Sequence, residues 1–259
     1  MTHDMTTGSP MRLIVMFTIP LLIGNVFQQL YSMADTVIVG RTIGVQALAA
    51  VGATGPLCFL VLGFFFGFSS GVTVVTAQRF GAKDARGVRR SIAMATTLCT
   101  AISAAATIGS VILTGPLLRL MNTPEDIFDG SYAYLVVIFI GIGATVFYNL
   151  ISGIIRALGD SRTPLIAMTA AALCNIGLDI LFVAVFRWGV NGVSIATVMS
   201  QCLSSLICLL ALRKMPVIRI TRADLKPDSR VMRKLMALGV PIAFQNLIIS
   251  VGALVLQRV

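Results

Sequence analysis

The sequence predicts an all-α polytopic membrane protein, a six-helix transmembrane bundle followed by a seventh helix. Three observations lead there. First, the 259 residues are 57% hydrophobic and only 12% charged, with a mean hydropathy of +0.93. A soluble domain carries roughly 25% charged residues, so this chain lacks the charge to coat a globule in water. Second, its uncharged runs are far longer than the about 10-residue alternating segments of a barrel strand. Lipid satisfies no backbone polar group, and with barrels excluded only helices remain. Third, sixteen of the twenty Lys and Arg fall in alternate loops, around Arg12, 79–90, 156–162 and 213–234. The intervening ends hold Arg41, Arg119, Arg187 and Arg258 alone. That asymmetry is the positive-inside pattern, which puts the N-terminus and the 213–234 loop in the cytoplasm. It also accounts for the formal charge of +10 without nucleic acid.

The apolar runs lie at 13–34, 42–78, 91–118, 133–155, 163–178 continuing to 186, 188–212 and 235–257. Each reaches the ~20 residues needed to cross a bilayer. The first run lacks a small-residue cleavage site and opens a series of similar runs, unlike a signal peptide. It contains Pro20, which removes a backbone hydrogen bond and marks a hinge. It also carries a polar stripe of Gln28, Tyr31, Ser32 and Asp35. The second has Gly63, Gly67 and Gly71 at four-residue spacing, a packing face. The third is rich in small residues from Ala101 to Ala106, again a sign of close helix packing. Tyr134 stands early in the fourth span, Asn175 and Asp179 share a face of the fifth, and Asn191, Ser194, Thr197 and Gln201 line the sixth.

The polar stretch at 213–232 reads as a basic cytoplasmic linker after a first lobe at 1–212. Beyond it, from 233 to 259, Arg233, Pro241 and Asn246 repeat Arg12, Pro20 and Asn25 at an offset of 221. The seventh helix therefore starts a second repeat, as transporters built from internal repeats do.

Of the ten acidic residues only Asp35 and Asp179 stand inside spans. Such a carboxylate costs about 2.5–3.5 kcal/mol at mid-bilayer and usually faces a cavity with a function. At 1.5 Å per residue, Asp179 lies ~12 Å, Asp35 ~9 Å and Thr197 ~13 Å below the outer surface. Tyr134 falls in the same layer. Burial and mutual repulsion both disfavour two ionised carboxylates, which suits groups that take up a proton or a hard cation such as Na⁺. Nothing points to catalysis. The five cysteines lie inside spans without metal-ligand spacing, the one histidine, His3, is in the N-terminal tail, and no phosphate-binding Gly-rich loop appears.

Several segments resemble the multidrug and toxic compound extrusion (MATE) family: Met33–Arg41, Ala77–Ala82, Arg156–Asp160, Gly192–Thr197 and Val240–Pro241. The resemblance implies one lobe of a twelve-helix fold in a bacterial inner membrane, working by alternating access. It implies export of cationic or amphiphilic drugs against H⁺ or Na⁺, with no cofactor beyond that coupling ion. It also implies a cation site at Asp35, Asn175, Asp179, Thr197 and Tyr134, with Gln28, Tyr31, Ser32 and Gln201 facing the substrate. A functional Glu that some members carry on the seventh helix is replaced here by Ile249. The partners expected are membrane lipid, drug-like substrates and a second lobe or second chain, not nucleic acid. A lipid-linked sugar flippase on a related bundle is the alternative, although it would need cavity Lys or Arg for pyrophosphate. A membrane protein that transports nothing is the other.

Overall fold

The computed structural model describes residues 10–215, 218, 224 and 227–256. His3, the linker residues Pro216, Arg219, Arg222 and Lys226, and the last three residues lie outside the described set. The chain forms α1 (Pro10–Thr42), α2 (Val45–Gly81), α3 (Ala85–Leu120), α4 (Glu125–Ile140) and α5 (Ile142–Ala157). There follow α6 (Arg162–Asp179), a π-helical segment (Ile180–Val185), α7 (Val190–Arg213) and α8 (Ser229–Leu256). No strand occurs among the described residues.

Six helices are each long and apolar enough to cross a membrane. The seventh crossing is a broken one, α4 and α5 together, bent by 45° at Gly141. The sequence shows one uninterrupted apolar run there because hydropathy is blind to direction. The bend has a packing reason. A Cβ on Gly141 would run into the Val198 side chain, so α7 passes where only glycine leaves room.

The turns between α2 and α3, between α5 and α6, and before α8 are fixed by short polar caps. Gly159 adopts φ 86°, a conformation open to glycine, and the next residue, Asp160, accepts the Arg162 and Thr163 N–H groups at 2.9 and 3.1 Å. Asp84 likewise accepts the Gly87 N–H at 2.8 Å and starts α3. At the seventh helix the Asp228 carboxylate accepts the Arg230 N–H at 3.0 Å. Helix α8 therefore begins at Ser229, four residues before the boundary read from hydropathy. The reason is that a helix can leave the membrane and continue through a polar, capped turn.

Helix α2 is the central post. It packs along α8 more extensively than any other pair and also touches α1, α3, α4 and α5. The glycine face of α2 receives α8. A Cβ on Gly67 would stand 2.6 Å from the Ile242 carbonyl oxygen, and one on Gly71 would stand 2.6 Å from the Gly239 Cα. Gly63 faces the Ser250 hydroxyl on the same line. Around this seam the main core is built from Phe65 and Phe68 of α2, Met94 of α3, Phe139 of α4 and Leu150 and Ile154 of α5. Helix α1 is different: it leans mainly on α6, is continuous through Pro20, and leaves most of its surface exposed.

Gly67→Leu should destabilise the protein by about 2 kcal/mol, because overpacking against backbone cannot relax by a rotamer change. Thermal unfolding in detergent reads this directly. Gly52→Leu, where a Cβ meets nothing within 4 Å, should unfold like the wild type.

Candidate functional site

The site is assembled from four helices in layers one turn apart. Innermost is a pocket of ≈ 380 Å³, open at its mouth, between α1, α5, α6 and α7. Gln28 and Tyr31 line it from α1, Met168 and Asn175 from α6, Thr197, Ser200, Gln201 and Ser204 from α7, and Tyr148 from α5. The register follows from helix period: on α6 Met168, Ala172 and Asn175 share a face, and on α7 Thr197, Ser200 or Gln201 and Ser204 do.

One turn outward stand the two acids. Asp179 follows Asn175 by four residues on α6, and Asp35 follows Tyr31 by four on α1. Their carboxyl groups are near enough to act on each other's charge, with no hydrogen bond between them. Tyr31 and Tyr134 are close enough to feel both charges. Asp179 is 0% exposed and Asn175 1%. Both Asp179 oxygens, Asp35 Oδ1, both polar atoms of the Asn175 amide and Gln201 Oε1 lack a hydrogen-bond partner among the described residues. Buried polar groups are normally satisfied, so this concentration of unpartnered polar atoms in one place makes it the candidate site.

One further turn outward the character changes. Val39 of α1, Val183 of the π-helical segment, Val193 of α7 and Ala47 of α2 form a separate apolar cluster, with Tyr134 packed against it. This cluster lies one turn beyond the acid pair along the same helices.

The π-helical segment begins at the residue after Asp179. Such segments widen the helix by one residue per turn and often occur at functional sites. Here the Phe186 N–H bonds the Leu181 carbonyl, five residues back, at 2.9 Å. Helix α7 holds the segment in place: Gly192 lies so near that a Cβ would stand 3.1 Å from Phe182 Cβ. Stacking of Phe182 on Trp188, with centroids 4.9 Å apart, closes the turn into α7.

Asp35, Asn175, Asp179, Thr197, Tyr134, Gln28, Tyr31 and Gln201 therefore converge. Ser32 does not join them. It is exposed and outside the pocket, and its carbonyl oxygen accepts the Thr36 hydroxyl at 2.8 Å. The i, i+1 neighbours Tyr31 and Ser32 cannot both point inward from one helix, and the bulkier tyrosine does. Thr197 gives its hydroxyl proton to the Val193 carbonyl at 3.0 Å, which turns its oxygen lone pairs toward the pocket chemistry as acceptors. Tyr148, Met168 and the π-helical segment carry no sequence signal of their own. Tyr148 lies only eight residues from Arg156, at the inner end of an apolar run, and its inward direction depends on the bend at Gly141.

Among the described residues no group of three or more His, Cys, Asp or Glu gathers that could hold a metal ion.

Comparison with known proteins places this geometry. Residues 20–181 match the family model MatE. The chain is 31% identical to the probable multidrug resistance protein YpnP of Bacillus subtilis (strain 168), over 99% of this chain and 58% of that protein. It is 29% identical to the probable multidrug resistance protein YoeA of the same strain, over 97% of this chain and 56% of that protein. A solved structure described as the outward-facing conformation of a multidrug resistance MATE family transporter superposes with a TM-score of 0.89 at 28% identity. It covers 95% of this chain and 55% of that one. The chain thus spans a little over half the length of the relatives it matches.

Two carboxylates this close, both ionised, repel. Asp179→Asn supplies an amide donor to Asp35 and should raise stability by about 1 kcal/mol, as relief of a strained functional site often does. A higher unfolding temperature in detergent, read at a pH high enough to ionise both acids, is the expected result, and a lower one would mean that Asp179 holds the fold together.

Proposed function

The chain belongs to the MatE family, and from that premise we propose that it forms the ion-coupling bundle of a secondary multidrug exporter. The observation that carries this reading is the pairing of half-buried Asp35 with fully buried Asp179 beside an open pocket. Drug efflux is named for the relatives in the multidrug resistance group, and the pocket suits it. Tyr31, Tyr148 and Met168 offer apolar and aromatic contact, while amides and hydroxyls give adaptable polar contact.

In the proposed cycle, H⁺ or Na⁺ from outside reaches the acids and removes their mutual repulsion. Asp35 belongs to α1 and Asp179 to α6, so neutralising the pair draws α1 toward α6. Helix α1 can respond because it is the least enclosed helix of the bundle and Pro20 weakens its inner half. Movement of Gln28 and Tyr31 with it narrows the pocket and expels the drug. One charge crossing 100 mV supplies about 2.3 kcal/mol, or about a fortyfold gradient per ion. A complete pathway also needs a second bundle, to which α8 connects. The loop charges support a cytoplasmic N-terminus in a bacterial inner membrane. A flippase for a lipid-linked sugar fits less well, since the pocket lining contains no Lys or Arg for a pyrophosphate.

Ethidium efflux in pump-deficient bacteria tests the proposal, with the chain joined to a complete second bundle. Asp35→Asn and Asp179→Asn should each bring efflux to background at unchanged protein level, and Ser32→Ala should leave it within about twofold. Undiminished efflux from both acid variants would remove the pair from the mechanism.

A further inference from the structure

The cytoplasmic ends of the helices distribute their acids and bases unequally. Four acids are described there, and each is engaged within the chain. Asp84 pairs with Arg79 at 3.0 Å, and Asp160 accepts the Thr163 hydroxyl at 2.6 Å. Asp224 faces Arg89 at 3.5 Å and Asp228 faces Arg90 at 3.1 Å. The last two pairs tie the linker and the start of α8 to the start of α3, and the two helices are in contact.

Around that junction cations remain over. Arg86 stands one turn before Arg90 on α3, and Arg230, Arg233 and Lys234 occupy the first two turns of α8. All four are exposed, and none has an ion pair among the described residues. We propose that the α3–α8 junction binds the headgroup phosphate of an anionic phospholipid of the cytoplasmic leaflet.

Geometry and chemistry favour a lipid over a free anion. The Arg90–Asp228 bridge holds the two helix starts together, so the free cations of both flank one junction. Because Asp228 is committed to Arg90, it does not neutralise its neighbours. Immediately inward on α8, Met236 and Ala237 are exposed, an apolar surface continuous with the basic one. A ligand with a phosphate above and acyl chains below matches that succession, and basic clefts between membrane helices on the cytoplasmic side bind such headgroups. A lipid held there bridges α3 and α8 and adds to the grip of α2 on α8.

The test uses the whole chain in nanodiscs of phosphatidylcholine, with or without phosphatidylglycerol, and reads thermal unfolding and lipid retained in native mass spectra. One variant combines Arg86→Gln, Arg230→Gln and Arg233→Gln. A control removes equal charge elsewhere on the same face with Lys83→Gln, Arg213→Gln and Lys214→Gln. Both keep Arg89, Arg90, Asp224 and Asp228, so the ion pairs that hold α8 stay in place. Phosphatidylglycerol should raise the unfolding temperature of the wild type and the control but not of the junction variant. Retention of phosphatidylglycerol by that variant should fall about a hundredfold. An equal loss in the control would show diffuse surface charge and overturn the site. So would an unchanged response of the junction variant. A rise with inorganic phosphate alone, in phosphatidylcholine discs, would replace the lipid by a free anion.

Discussion

Helix α2 can touch five other helices because its surface is small where they meet it. In lipid there is no hydrophobic gain from bringing two apolar helices together, so association depends on close contact of their backbones and on the few polar groups they share. The glycines at 63, 67 and 71 let the α8 backbone lie against α2. On other sides, Gly153 of α5 meets Thr73, and the Thr76 and Ser91 hydroxyls link α2 to α3 at 3.1 Å. With that post fixed, α4, α5 and α7 stand in defined positions, and the pocket between α1, α6 and α7 has a rigid back wall.

The same constraint produces the site by exclusion. A polar side chain that finds no partner in such a bundle has to face a cavity or another polar group, and the chain places its two intramembrane acids with several amides and hydroxyls along three helix faces. These are the Gln28–Tyr31–Asp35 face of α1, the Asn175–Asp179 face of α6 and the Thr197–Gln201 face of α7. Their convergence leaves carboxylate and amide oxygens unpaired at the outer end of the pocket, with an apolar cluster beyond them. Stability has been given up locally for binding capacity, and the helix least held by packing, α1, carries one of the two acids. An element that must move is drawn from the loosely packed part of a fold.

Much of this was legible in the residues. Two acids among long apolar runs, the four-residue spacing of Asn175 and Asp179, and depth counted at a fixed rise per residue were enough to gather Asp35, Asp179, Tyr134 and Thr197 at similar depth. The structure sets Thr197 in the pocket one turn from the acids and Tyr134 against the apolar cluster beyond them. The glycine ladder of the second span announced a packing face, although not its partner. Ser32 shows where such reasoning stops. Polarity and spacing allow it the same face as Tyr31, and only the rotation of α1 against α6 decides which of the two looks inward. The broken α4–α5 crossing, and with it Tyr148, was invisible because hydropathy records how apolar a run is and not where it bends.

The sequence by itself determined the apolar spans and which two acids stand inside them. Those follow from local quantities: the cost of charge in lipid and the length of a bilayer in helical residues. Tertiary structure alone decided that Asp35 meets Asp179, that α8 lies on the glycines of α2, that a π-helical turn follows Asp179 and that an apolar cluster of three valines and Ala47 lies one turn beyond the acids. Each of these depends on how far two helices approach and at what rotation, and that distance is set by side chains hundreds of ångströms of extended chain apart, which no local pattern contains.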